Sequence, residues 1–253
     1  MSILSEIVAN KHLEVEQLKK LKPLLVLPKK PNFLKFENFD LIAEIKAQSP
    51  SSGIIRKDFD PIKLAQDFEK FGAKAISVLT DGKYFGGSLE TLQKVQKNVS
   101  VPILRKDFVV DSYQIYETKN SGASLILLIV KILKKDQFYE FLKLSLELNL
   151  QVLVEIFDKT ELELALAEIT KLTFAKNQII FGVNNRNLET FETKIENCLN
   201  LGQFIPPTFP KIALSGVKNI QDLEIIKKAN YNGVLIGEGL VKNPELFDFF
   251  NQV

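Results

Sequence analysis

The chain has 253 residues, 45% hydrophobic and 25% charged, the balance of an ordinary soluble globular protein and a length that one large barrel fills as readily as two small lobes. Its net charge of +2, from 33 basic and 31 acidic residues, leaves no electrostatic footprint for nucleic acid. One histidine, His12, and one cysteine, Cys198, exclude a His/Cys metal cluster and an internal disulfide, so Lys, Glu, Asp, Asn and Ser are left to carry any chemistry.

The longest apolar run, Leu125 to Val130, falls far short of the roughly 20 residues that cross a bilayer. The first residues mix acids and bases without an apolar core, so neither a membrane nor a secretory signal is expected and a reducing cytoplasm is the expected compartment. Arginine is scarce: Arg56, Arg105 and Arg186 stand among many lysines.

In chain order, residues 2–22 place Leu4, Val8, Val15 and Leu18 on one helical stripe. This predicts a helical extension over 1–40, read as a plug for one end of the fold, with a lid over a site as the alternative. From residue 41 onward, short Val/Ile/Leu-rich runs alternate with helical patterns. The runs are 41–46, 74–80, 101–106, 123–130, 151–156, 178–183, 210–215 and 233–237. Each has the length and composition of a strand buried on both faces of a parallel sheet.

Between them, Asp60-Pro61 caps a helix carrying Ile62, Ala65, Phe68 and Phe71, which Gly72 ends. Phe138, Phe141, Leu142 and Leu146 share a face within 134–149. Asp158 with Glu161 resembles a capping box ahead of Leu162, Ala165 and Ile169. Asn219 opens a helix with Leu223 and Ile226, and Asn243-Pro244 opens the last. Eight strand–helix units favour an α/β fold of the (β/α)8 TIM-barrel type, one domain over 1–253, over an open doubly wound sheet.

Polar residues interrupt the apolar strands at their C-terminal ends, where barrel enzymes build their sites. Glu44 and Lys46, two apart, share one face of the first strand. Lys106 ends the third, Glu155 the fifth and Asn184 the sixth. Taken singly, such a residue is more often a solvated boundary residue or a structural ion pair than a catalyst. Converging in one barrel mouth, these charges would cost several kcal/mol per ion unless paired, so such a cluster is seldom there for stability alone. Ser215-Gly216 and Gly237-Glu238-Gly239, after the seventh and eighth strands, supply small residues through which backbone N–H groups approach an anion. The turn 48–53 (QSPSSG) adds hydroxyls in the loop after the first strand.

With these residues in view, the sequence resembles the indole-3-glycerol-phosphate synthase family. The resemblance rests on IAEIKAQSPSSG (42–53), SVLTDGKYFGGS (77–88), PILRKDFVVDSYQI (102–115), LLIVKIL (127–133), VLVEIFD (152–158), GVNNRNLETF (182–191), ALSGV (213–217) and VLIGEGLVKNP (234–244). These occur in family order across nearly the whole chain. The N-terminal ILSEIVANKHLEVEQLK is similar to the family's extra helix, which helps to shape the substrate site.

The resemblance implies conversion of 1-(2-carboxyphenylamino)-1-deoxyribulose 5-phosphate to indole-3-glycerol phosphate with loss of CO2 and water, and no cofactor or metal. By motif, Lys106 matches the general acid, Glu155 a catalytic carboxylate, Glu44 and Lys46 the other charged pair, and Asn184 the polar residue beside them. Ser49, Ser215, Gly216, Gly237 and Glu238 match substrate-binding positions, chiefly for phosphate. Phe85, Phe108 and Leu127 match the wall around the anthranilate ring, and Arg186 a residue near the catalytic Asn. Ala47-Gln48 and Ser52 depart from the usual pattern without removing a matched catalytic group.

Two other readings stay open at this level. One is a related phosphosugar isomerase barrel, which would need a Cys/Asp pair that Cys198, in a predicted helix, is badly placed to supply. The other is a non-catalytic phosphate binder. The expected partner is a small phosphorylated molecule, with neither nucleic acid nor membrane, and the expected state is a monomer or weak homodimer.

Overall fold

The computed structural model describes residues 2–21, 32–50, 53–54, 59–175, 177–190 and 192–251. Ser51, Ser52 and Arg56, and the segment 22–31 within the expected extension, lie outside them. Eight parallel strands close into a barrel in sequence order: β1 (Asp40–Ile45), β2 (Ala75–Leu79), β3 (Ile103–Lys106), β4 (Leu125–Ile129), β5 (Gln151–Ile156), β6 (Ile179–Asn184), β7 (Lys211–Leu214) and β8 (Gly233–Ile236). The circle is completed by β1 against β8, with Asp40 opposite Gly233 and Ala43 opposite Ile236. This excludes the open sheet. Among the described residues, the α-helices of five or more residues are α1 (Ile3–Leu21), α2 (Pro61–Lys70), α3 (Leu89–Asn98), α4 (Ser112–Ser121), α5 (Lys135–Glu147), α6 (Lys159–Ile169), α7 (Glu196–Gly202), α8 (Ile220–Lys228) and α9 (Glu238–Lys242).

Alternation along each strand divides the apolar residues into two cores. Ile42, Leu104, Leu127, Leu153, Ile180, Ile212 and Leu235 fill the barrel interior, whereas Leu41, Val78, Ile126, Val154, Phe181 and Val234 face the helices. A strand with both faces buried reads as a continuous apolar run, which is why all eight stand out in the sequence. The helix starts follow the expected chemistry. The Asp60 carboxylate accepts from the Ile62 and Lys63 N–H groups ahead of Pro61, and Asn219 and Asp222 form a reciprocal capping box. At α6 the pattern shifts by one residue: Asp158 accepts from the Glu161 N–H, but the Glu161 carboxylate reaches back to the N–H of Phe157, ahead of the cap.

The N-terminal extension serves both ends of the barrel. At the bottom, Leu34 is buried against the interior core. Its N–H donates to Gln151 Oε1 at 2.9 Å and its carbonyl accepts from Gln151 Nε2 at 3.0 Å. At the top lies α1, so the helix covers the mouth, and plugging falls to the residues around Leu34 instead. Its buried stripe is Leu4, Ile7, Lys11 and Val15, with Val8 and Leu18 only half-buried. A lysine on that stripe breaks the apolar pattern, and its explanation is a set of buried anions. Lys11 Nζ lies 3.0 Å from Asp81 and 3.1 Å from Asp107, in the loops after β2 and β3, and 2.9 Å from Glu14.

Candidate active site

All fourteen residues singled out as catalytic or substrate-binding line one cavity of about 620 Å3 at the C-terminal end of the strands. That volume is within the range of small-molecule sites, about 300–1,000 Å3. The floor is apolar barrel core; the walls are built from the turns that follow the strands.

On β1 and at the residue that follows it, Ile42, Glu44 and Lys46 project inward by alternation, and Lys46 Nζ donates to Glu44 Oε1 at 2.7 Å. Burial alone would push the Glu44 carboxyl up. The Lys46 and Lys106 ammonium groups, the Lys46 hydrogen bond and Arg186 more than offset this and hold it below the ordinary carboxylate value. Glu44 therefore stands ionised among three cations. Space for it comes from the opposite side of the seam: a Cβ on Gly237 would lie 2.6 Å from Glu44 Oε1, so any side chain there would displace the carboxylate. Lys106, which ends β3, forms no ion pair among the described residues and borders the cavity.

Glu155 ends β5 and is 2% exposed. One oxygen accepts from Asn184 Nδ2 at 2.8 Å; the other, Oε2, has no partner among the described residues. Asn184 is itself oriented, since its Oδ1 accepts from the Arg186 N–H and its carbonyl accepts from Asn197 Nδ2. Phe85 and Phe108 sit with ring centroids 6.0 Å apart and planes inclined by 34°, and with Leu127 they form the apolar wall expected for a planar ring.

On the far side, Ser215 (φ 62°) and Gly216 (φ 89°) are consecutive left-handed residues. For the serine this conformation costs of order 1–2 kcal/mol, and the turn is held by Asn185 Nδ2 donating to the Ser215 carbonyl. Gly237 precedes α9, whose Glu238 carboxylate pairs with Lys242 at 2.5 Å, and both residues line the cavity. Ser49 is buried at the opposite rim.

Reading the sequence alone missed several residues. Leu4 and Ile7 of α1 line the cavity, as do Lys218 and Lys242 beside the glycine turns. It also missed the clamp behind Lys106. There the Asp107 carboxylate receives Arg105 at 3.0 Å, Thr80 at 2.6 Å, Lys11 and the N–H of Phe108. The scarcity of arginine set Arg56, Arg105 and Arg186 apart without saying why. Buried Arg105 faces away from the barrel interior and joins Asp107 to Glu117 of α4 at 3.3 Å. Cys198, the one cysteine available to the acid–base pair of the isomerase alternative, is buried in α7 and its thiol donates to the Ile195 carbonyl. Burial pushes that thiol up to about 11, against what an acid–base cysteine requires.

A closed parallel barrel whose interior lysines and glutamates meet at the C-terminal mouth, beside two glycine turns, defines a (β/α)8 enzyme of acid–base chemistry on a small anionic substrate. Comparison with known proteins narrows the class. Residues 4–253 match the family model of indole-3-glycerol phosphate synthase. An indole-3-glycerol phosphate synthase from Chlorobium limicola is 40% identical over 258 aligned residues, covering 97% of both chains. Another from Thermoanaerobacter sp. is 42% identical over 249 residues, 95% of this chain and 92% of the relative. One from Pelodictyon phaeoclathratiforme is 44% identical over 206 residues, 81% and 77% respectively. The chain belongs to the indole-3-glycerol phosphate synthase family. No helix among the described residues is long and apolar enough to cross a membrane.

Proposed function

We propose that the cavity closes the indole ring of 1-(2-carboxyphenylamino)-1-deoxyribulose 5-phosphate, releasing CO2 and water to leave indole-3-glycerol phosphate. The observation that carries this reading is the meeting of Glu44, Lys46, Lys106, Glu155 and Asn184, from four strands, around one space bordered by an aromatic wall and two glycine turns. The phosphate binds to the backbone of Ser215-Gly216 and Gly237-Glu238, with Lys218 and Lys242 adding positive charge and Ser49 a hydroxyl. The anilino ring rests between Phe85, Phe108 and Leu127. Holding the aryl carbon against the ketone is an orientation effect worth several kcal/mol.

Lys106 protonates the ketone oxygen as the aryl carbon attacks. The iminium formed by closure draws the electrons of the departing carboxylate, so the substrate supplies its own electron sink and the chemistry calls for no cofactor. Lys46, oriented by Glu44, holds the substrate carboxylate and then protonates the leaving hydroxyl. Glu155, steered by Asn184, removes the carbon-bound proton that completes aromatisation. Arg186 adds positive charge beside Glu44, which keeps that carboxylate ionised. The barrel and its N-terminal extension work as one domain, in the cytoplasm, as a monomer or weak homodimer.

The test is to mix the protein with the carboxyphenylamino-deoxyribulose phosphate, without added metal or cofactor, and follow indole fluorescence. Appearance of the indole signal is expected, and Lys106→Ala should remove it. A protein that binds the substrate and leaves it unchanged overturns the proposal.

A further inference from the structure

Behind Glu155 lies a second, smaller cavity of about 190 Å3 that shares Ile129, Glu155, Asn184 and Leu188 with the substrate cavity. It is large enough to hold water. Its far wall carries Glu161, 8% exposed, at the start of α6. The Glu161 carboxylate is divided in function: Oε2 accepts the Phe157 N–H at 2.7 Å, while Oε1 is buried without a partner among the described residues. Glu155 Oε2 is likewise buried and without a partner among the described residues. The outer rim is formed by Lys131 and Glu189, both exposed and 3.5 Å apart.

The Glu155 and Glu161 side chains both border one small space and each keeps a buried oxygen without a partner among the described residues, which is costly, and helix capping explains only the other oxygen of Glu161. We propose that Glu161 is a proton-relay residue: it takes, through water in this cavity, the proton that Glu155 has removed from the substrate, and releases it to bulk solvent past the Lys131–Glu189 pair. The inference rests on Glu155 being the base of the proposed reaction. The step balances: the O–H bond of protonated Glu155 breaks, an equivalent O–H bond forms on Glu161, and this proton leaves to water, restoring both carboxylates. Reloading of the two lysine acids is a separate exchange through the main mouth.

The environment of Glu161 suits transfer in both directions. Burial pushes its carboxyl up to about 7; the Phe157 N–H opposes this, the charges of Asp158 and Glu155 add to it, and Lys131 of the segment after β4 subtracts. Glu189, from the segment after β6, also borders the cavity, as do the neutral side chains of Asn184 and Asn187.

Glu161→Gln separates relay from cap, because the amide oxygen still accepts the Phe157 N–H but cannot carry the proton. The expected result is kcat lowered roughly tenfold at neutral pH with KM little changed. The acid limb of kcat centred at about 7 should vanish, and rising concentrations of imidazole buffer should restore turnover. Wild-type kcat and pH profile in Glu161→Gln would overturn the relay, as would a loss of rate that imidazole leaves untouched. A second measurement needs no substrate: NMR titration of carboxyl-13C-labelled glutamate. A glutamate should titrate at about 7, vanish in Glu161→Gln, and move to lower pH in Glu155→Gln, where the neighbouring negative charge is gone. No such titration, or one indifferent to Glu155, overturns the coupling. Lack of turnover by the wild-type protein would instead sink the assigned reaction, and the NMR result would still decide whether the two carboxyl groups are coupled.

Discussion

Two buried charged clusters flank the substrate cavity, and they are built on opposite plans. Under α1, every acid has a cation: Lys11 contacts Asp81 and Asp107, and Arg105 contacts Asp107 and Glu117. Under α6, Glu155 and Glu161 each keep an oxygen with no partner among the described residues. The first cluster holds the α1 helix and the Lys106–Phe108 turn in place, and its charges cannot change without loss of structure. The second leaves one oxygen of each carboxyl without a partner among the described residues, at a cost in stability, which is the arrangement the proposed base and relay call for. On the proposed reading, the ion-paired acids form the clamp and the two buried carboxylates without an ion pair among the described residues are the working groups.

The strongest contrast should come from removing one charge on each side. Glu155→Gln should lower kcat by about 10^2–10^4-fold, the usual contribution of a positioned acid or base, with an unchanged or slightly higher melting temperature, read by steady-state kinetics and calorimetry. Lys11→Met should do the reverse. It strands Asp81 and Asp107 in the core and should cost about 3–5 kcal/mol by denaturant titration. If Lys11→Met unfolds no more easily than wild type, the clamp assignment is wrong.

Steric demand around Glu44 gives the next effect. Gly237→Ala should destabilise by about 1–3 kcal/mol, because the added methyl meets Glu44 Oε1, and it should raise KM through the phosphate turn.

The pH dependence separates the clusters further. The Asp107 carboxyl is held below its ordinary value: burial opposes ionisation, but Arg105, Lys11 and the Thr80 hydrogen bond outweigh it. Its stabilisation is therefore present above the unfolded carboxylate range and lost as pH falls through the lowered native value. Lys11 is raised, since Asp107, Asp81 and Glu14 outweigh its burial. Its share is full below the ordinary lysine value and lost only as pH climbs through the raised one. Glu161 runs the other way. Its carboxyl, raised to about 7, is neutral at no cost in acid, and its penalty grows as pH rises from the unfolded glutamate value to about 7. Glu161→Gln should therefore be more stable than wild type at pH 8, by about 1–3 kcal/mol, and no more stable near pH 4. Thermal melts across that range would show it, and equal stability at both ends would contradict the assignment. The smallest effect is expected at the exposed Lys19–Asp111 pair, 2.7 Å long, where Lys19→Ala should cost about 0.2–1 kcal/mol despite linking α1 to α4.

Much of this architecture was legible in the chain. The eight apolar runs had to be strands buried on both faces, and polar residues breaking their C-terminal ends had to meet once the sheet closed. Glu44, Lys46, Lys106, Glu155 and Asn184 were found that way. The stripe of α1 was read partly wrongly because a lysine is scored as a solvent-facing residue. Lys11 becomes a core residue only where Asp81 and Asp107 arrive from two other strands. Glu161 was legible as a cap and not as a neighbour of Glu155. The return of α6 against the end of β5 puts both on one small cavity, and no spacing rule contains that.

The amino-acid order determined the local alternation, the helix starts and the identities of the groups available for chemistry, since these depend on neighbours a few residues apart. Folding in three dimensions decided which end of the barrel α1 covers, which charges are neutralised, and which carboxyl groups are left incomplete. Pairing energy depends on distances of a few ångströms between residues far apart along the chain, and those distances exist only after the barrel has closed.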